Sequence, residues 1–166
     1  LDNVNPETKQ GEIVVNTPSA LSGYYKNPEA TAEAFTEDGW YRTGDLGYID
    51  EDGYIFIKGR LKNMILGPSG ENIYPEEIED KINNLPYVVE SLVVGRKNAI
   101  VALVVADYEA GKKDGLNEEQ LEKLIDENVL ALNTELAAYS KIVYTEIRRE
   151  QFEKTPKQSI RRFMYK

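Results

Sequence analysis

Cysteine and histidine are both absent from the 166 residues. Without thiols there is no disulfide framework and no thiolate metal site, and without imidazole the commonest metal ligand and general base are gone. Most hydrolase and metalloenzyme chemistries are excluded on that ground. Long apolar runs are missing too: none reaches the roughly 20 residues that a membrane helix needs. The start, Leu1-Asp2-Asn3-Val4-Asn5, lacks the basic-then-apolar plan of a signal peptide. Basic residues are outnumbered, 20 Lys and Arg against 29 Asp and Glu, and the net charge of -9 would repel a nucleic acid at long range. The one basic cluster is the tail, residues 154 to 166. The acidic excess reads as a solubilising surface rather than a cation site. A soluble, cytoplasmic protein is expected, cysteine absence fitting a reducing compartment; no residues mark a membrane-binding helix, although peripheral membrane association is left open.

What is present is enough for a core: 41% of positions are hydrophobic and 30% charged. Residues 12 to 15 read as a short strand. Asn27 and Pro28 suit the cap and first turn of a short helix that Asp38-Gly39 would stop. Residues 40 to 45, Tyr48-Ile49 and residues 54 to 57 read as strands, the last two flanking the hairpin signal Asp50-Glu51-Asp52-Gly53. A change of texture follows near Arg60. Beyond it come Met64-Ile65, the loop Gly67-Pro68-Ser69-Gly70, and a helix from Pro75 with Glu76, Glu77 and Glu79 near its positive end. Residues 88 to 94 and 100 to 105 form an expected hairpin around Gly95-Arg96-Lys97-Asn98. Asn117 and Gln120 resemble a capping box ahead of a helix whose apolar face holds Leu121, Leu124, Ile125, Leu132 and Leu136. Ile142-Val143-Tyr144 returns as a third strand. The fold class is therefore α+β: the end of a β-rich subdomain, residues 1 to 60, then a small three-stranded sheet with packed helices on one face, residues 61 to 166. About 60 residues of strand would be marginal alone, so the first sheet is expected to be completed by residues outside this chain.

Taken in order, Gly11-Glu12-Ile13, Gly23-Tyr24-Tyr25, Pro28-Glu29-Ala30-Thr31, Trp40-Tyr41-Arg42-Thr43-Gly44-Asp45, Gly53-Tyr54, Gly59-Arg60-Leu61-Lys62 and Glu77-Ile78-Glu79 resemble the adenylate-forming superfamily of acyl-CoA synthetases, luciferases and peptide-synthetase adenylation domains. The resemblance is collinear over nearly the whole chain, which a lone Thr-Gly-Asp would not be. It implies two half-reactions: a carboxylate attacks ATP to give an acyl-adenylate and pyrophosphate, then a thiol, often coenzyme A, displaces AMP. It further implies that residues from about 61 onward are the C-terminal lid domain, which turns between the half-reactions. By the same resemblance Asp45 is the ribose-binding carboxylate, a turn-capping Asp being the plainer alternative. Arg60 matches the arginine near ribose and phosphates, and Lys62 the hinge. Gly67, Ser69 and Gly70 match the loop lining the coenzyme A channel. That loop is one residue longer than the commoner spacing, as in bacterial long-chain fatty acid-CoA ligases.

One departure stands out. The family places a lysine near the C-terminus in a pattern like Gly-Lys-Ile-x-Arg, where its ammonium meets the charge that develops at the α-phosphate. Here the matching stretch is Pro156-Lys157-Gln158-Ser159-Ile160-Arg161-Arg162, and Ser159 falls at the lysine position. Lys157 is the substitute candidate: in extended backbone residues i and i+2 share a side about 6.5 Å apart. A plain tail lysine is the equal alternative.

The expected function is that of the C-terminal fragment of an ATP-dependent long-chain fatty acid-CoA ligase, using ATP, Mg2+ and coenzyme A. Mg2+ and most ATP contacts fall to an N-terminal domain outside this chain, whose Ser/Gly/Thr-rich phosphate loop has no counterpart here; no metal ligands are expected in these residues, and the fragment alone is expected to be inactive. The competing readings are an adenylation domain that loads a carrier protein and a non-catalytic binding or regulatory module that keeps the lid fold.

Overall fold

A carboxamide sets where the first helix begins. In the computed structural model, which describes residues 1 to 165, the Asn27 side chain accepts from the Ala30 amide, and Pro28 opens α1 (Pro28–Glu33). The helix stops well before Asp38-Gly39, because the Thr36 hydroxyl takes the Trp40 amide and starts a turn that returns Phe35 to pair with Tyr41. The chain divides into two compact units, the first being Leu1–Met64 and the second starting at Ile65. The division falls beyond Arg60 because a short 3-10 turn, Leu61–Asn63, packs back against the preceding sheet.

That sheet is antiparallel, with β2 (Tyr41–Ile49) between β1 (Gly11–Val15) and β3 (Ile55–Arg60). β2 is one strand rather than the two short pieces expected, and opposite Leu46 and Gly47 the register slips by one residue, leaving Lys58 of β3 as the bulge. Gly47 is required there: a Cβ would lie 2.4 Å from the Phe56 carbonyl oxygen. The hairpin to β3 turns on Asp50, whose carboxylate accepts from the Asp52 and Tyr54 amides. Ile49, Ile55 and Ile57 of this hairpin stay exposed.

The second unit opens with a two-stranded ribbon, β4 (Ile65–Leu66) and β5 (Asn72–Ile73), and enters α2 (Pro75–Asn83). A three-stranded sheet follows in the order β6 (Val88–Arg96), β7 (Ala99–Ala106), β8 (Ile142–Arg148). β6 and β7 run longer than the sequence indicated. Only Lys97 and Asn98 turn between them, both at positive φ (47° and 65°), the geometry of a tight two-residue hairpin. β8 lies parallel to β7, and such pairing demands a crossover. Two helices supply it. α3 (Tyr108–Lys113), which the sequence reading missed, is capped by Asp107; α4 (Glu118–Ala131) carries the complete Asn117–Gln120 capping box.

Helices cover one face of this sheet, as expected. Ile78 and Ile82 of α2 and Leu121, Ile125 and Val129 of α4 pack on Val93, Ala102 and Val104. Val129 takes the place that Leu124 was assigned; Leu124 and Leu136 are only half-buried. The opposite face is also buried, which the sequence did not indicate. There Leu92, Val94, Val101, Leu103 and Val105 lie under Phe152, with Ile160 and Tyr165 alongside. The tail is thus a third layer. Arg148 stacks between the Phe152 and Tyr165 rings, 5.4 and 5.2 Å from their centroids, and the rings meet edge to face at 5.0 Å.

A buried carboxylate ties tail, helix and sheet together. Glu79 of α2 accepts from the Val93 amide of edge strand β6 at 2.7 Å and from the Arg162 guanidinium. Burial pushes the Glu79 carboxyl above its ordinary range, while Arg162 and the Val93 amide pull it down. Among the described residues no helix is long and apolar enough to cross a membrane.

Removing one partner of a buried pair strands the other charge, so Arg162→Met should destabilise the second unit by about 3 kcal/mol. Adding Glu79→Gln should recover a good part of that loss. Urea unfolding of the two variants and their combination measures both effects.

Candidate functional site

The Thr43-Gly44-Asp45 segment of β2 is held in shape by its own hydrogen bonds. The Thr43 hydroxyl donates to the Ile13 carbonyl at 2.7 Å and accepts from the Asp45 amide at 3.1 Å. Gly44 sits at φ 73°, a left-handed conformation that favours glycine. Beneath it Glu12, 8% exposed, accepts from the Gly44 amide at 3.1 Å and from Arg42 at 2.5 Å, and Arg42 also pairs with Asp2 at 2.8 Å. Glu12 thus organises the bulge that β2 makes here against β1. The motif Gly11-Glu12-Ile13 does not disclose this role; the one local signal is a charged residue next to the β-branched run Ile13-Val14-Val15.

Asp45 and Arg60 are direct cross-strand partners in the β2–β3 register. Arg60 Nε lies 2.9 Å from Asp45 Oδ1, and its Nη2 donates to the Thr43 carbonyl at 2.8 Å. The pair is not buried: the side chains are 32% and 47% exposed, leaving a carboxylate and a guanidinium side by side at the surface. A diol next to an anion matches such a pair, since the carboxylate accepts two hydroxyls and the planar cation faces phosphate. Lys62 follows, exposed, within the 3-10 turn Leu61–Asn63, two residues before the division between the compact units.

In the second unit, the 67–70 loop joins β4 to β5. The Gly67 amide donates to the Glu71 carbonyl at 2.8 Å, the Gly70 amide to the Gly67 carbonyl at 3.0 Å, and the Ser69 amide to the Glu71 carboxylate at 3.2 Å. Gly67 is buried, while Ser69 and Gly70 are exposed. Gly70 has φ 92° and open space where a side chain would go, so the turn itself is what demands glycine. Beside this loop lies a hollow of about 250 Å³, lined by Ile65, Gly67, Ile73, Gly95, Lys97 and Tyr139 among others. Gly95 keeps it close: a Cβ there would meet Ile65 Cγ2 at 2.9 Å.

The remaining candidates sit on the tail, where the extended backbone assumed from sequence is corrected. Residues 155 to 159 form a turn, closed by the Thr155 amide to the Ser159 carbonyl at 2.8 Å and the Gln158 amide to the Thr155 carbonyl at 2.9 Å. Lys154 and Ile160 pair across its base. Gln158 has φ 62°, so Lys157 and Ser159 do not alternate as in a strand. Both are exposed on the same turn. The structure therefore brings Asp45 and Arg60 together in the first unit, and holds the 67–70 loop and the tail turn in the second. Among the described residues no group of three or more Asp or Glu is placed to hold a metal ion.

Residues 62–165 match the model of the AMP-binding enzyme C-terminal domain. The long-chain-fatty-acid–CoA ligase FadD13 of Mycobacterium tuberculosis is 38% identical over 148 residues, 87% of this chain and 28% of that protein. The sulfoacetate–CoA ligase of Cupriavidus necator is 52% identical over 90 residues, 54% of this chain and 18% of that protein. In structure, ATP-bound MatB from Rhodopseudomonas palustris superposes with a TM-score of 0.74 at 31% identity, covering 96% of this chain and 30% of that one. The adenylation domain of a carboxylate reductase from Mycobacterium chelonae gives 0.80 at 26% identity, covering 93% and 26%. The chain spans less than a third of the length of each of these relatives. It belongs to the AMP-binding, adenylate-forming enzyme family, and is a C-terminal portion of such an enzyme.

Proposed function

We propose that this chain is the C-terminal part of a cytoplasmic acid–CoA ligase that activates a long-chain fatty acid with ATP and passes the acyl group to coenzyme A. The observation that carries the reading is the Asp45–Arg60 pair, 2.9 Å apart and partly open to solvent beside the bulge of β2 at residues 43 to 45. In this reading the Asp45 carboxylate accepts both ribose hydroxyls of the adenylate. Arg60 orients that carboxylate and faces the phosphates. Mg2+ bound to the triphosphate would supply neutralising charge, and its protein ligands are assigned to the part of the enzyme beyond this chain.

Residues 1–60 are assigned to the large domain and residues from 61 to the lid. Lys62 is the hinge: a short 3-10 turn has few backbone hydrogen bonds to break, so its torsions can absorb a rotation. Rotation would exchange the tail turn, needed for adenylation, for the Gly67, Ser69 and Gly70 loop, which guides the coenzyme A thiol. Lys157 supplies positive charge to the adenylation step from the exposed turn it shares with Ser159. The fatty-acid assignment is supported by the 38% identity to a long-chain-fatty-acid–CoA ligase over 148 residues. Likeness to the adenylation domain of a carboxylate reductase supports a second reading, acyl transfer to a carrier protein.

The full-length enzyme tests these assignments. Asp45→Asn should raise the KM for ATP about tenfold to a hundredfold, since charge-assisted hydrogen bonds contribute about 1.5–3 kcal/mol; an unchanged KM would falsify the ribose role. Lys157→Ala should lower ATP–pyrophosphate exchange about a hundredfold, the usual effect of losing a transition-state charge partner. Full exchange in that variant, or a sharp gain from Ser159→Lys, would show that Lys157 does not serve. Exchange across an acid panel should be fastest with palmitate, and coenzyme A should outpace a carrier protein as acceptor.

A further inference from the structure

Two carboxylates grip the tail on either side of the 155–159 turn. On the entry side stands Glu90 of β6, its side chain 13% exposed. Its Oε1 accepts from the Phe152 amide at 2.9 Å, and its Oε2 lies 2.6 Å from the Lys154 ammonium. On the exit side Glu79 of α2 holds Arg162. Between these clamps Lys154 and Ile160 pair and the turn projects to solvent.

The wall behind Glu90 is a hydrogen-bonded strand over a buried core. From Glu90 to Arg96 β6 pairs residue by residue with β7, the one register shift falling just before it at Val89, and Leu92 and Val94 are buried beside it. One carboxylate that fixes both a backbone amide and a side-chain cation sets the position and the direction of residues 152 to 154. It does not by itself keep the tail docked. That task falls to the buried Phe152 ring and the Arg148 stack. Loss of Glu90 would therefore let the turn wander on a tail that stays in place.

We infer that Glu90 is a positioning residue for adenylation, setting the point from which the 155–159 turn presents Lys157. This rests on the role proposed for Lys157. Glu90 touches no substrate; it acts through Lys154 and the Phe152 amide. Reacting groups tolerate little displacement, and a shift of about 1 Å costs about a hundredfold in rate. The effect should be confined to the half-reaction in which the turn takes part.

The experiment measures the two half-reactions of the full-length enzyme separately: ATP–pyrophosphate exchange with palmitate, and thioester formation from supplied palmitoyl-adenylate and coenzyme A. Glu90→Gln keeps an acceptor for the Phe152 amide but loses the charge that holds Lys154. It should slow exchange about tenfold to a hundredfold with the KM for ATP unchanged, and leave thioester formation at its original rate. Lys154→Gln, which leaves the Glu90 carboxylate its bond from the Phe152 amide, should act in the same direction, and Lys154→Arg should keep exchange at its original rate. Equal loss in both half-reactions, or no loss in either, overturns the inference. Lys157→Ala separates the two ideas: if it abolishes exchange while Glu90→Gln keeps it, only the positioning role fails; if it leaves exchange intact, the role of Lys157 fails and the positioning role with it.

Discussion

Strand β7 is apolar at every position from Ala99 to Ala106, and both of its faces have to leave water. A three-stranded sheet with helices on one side satisfies only half of that demand. The other half falls to whatever chain remains, and here it is the tail, with Phe152, Ile160 and Tyr165 laid across Leu103 and Val105. Covering the second face of β7 is worth several kcal/mol, since each large buried apolar side chain contributes about 1.5–3 kcal/mol. The position of the tail turn is therefore a consequence of core packing. The layer that completes the core thus also fixes where the exposed 155–159 turn stands.

Polar groups then set the fine geometry. Glu79 satisfies an outward amide of edge strand β6 and receives Arg162, joining three elements through one carboxylate. Glu90 does the corresponding work on the entry side. In the first unit Glu12 plays a similar part, holding the left-handed Gly44 so that Asp45 emerges beside Arg60. Each carboxylate is shielded from water and accepts at least one backbone amide, a bond that stays directional where a solvated ion pair would not. In both units a buried acid shapes the backbone next to an exposed candidate functional group.

Signals confined to a few neighbouring residues were legible. Asn27 with Pro28, Asn117 with Gln120, and the Asp50 turn all act through hydrogen bonds within five positions, so the elements they start could be read directly. Asp45, Arg60 and Lys62 were singled out by the resemblance of their motifs to the family, whereas the pairing of the first two across β2 and β3 appears only in the fold. α3 was missed because six residues are too few to show a helical period, and the 155–159 turn because Gln158 is not a residue type that marks positive φ. Glu79 looked like one more acid near a helix N-terminus; its inward direction depends on a strand that lies beyond the helix in sequence.

By itself the sequence determined the family, through the collinear order of its motifs, and the α+β order of elements, through short-range spacing. The pairing of Asp45 with Arg60 across the β2–β3 register, the burial of the second face of β7 by the tail, and the clamps at Glu79 and Glu90 were decided only by the tertiary structure. The reason is physical: burial and cross-strand contact join residues that are 15 to more than 80 positions apart, and no local propensity records which distant atoms will share a space from which water is excluded.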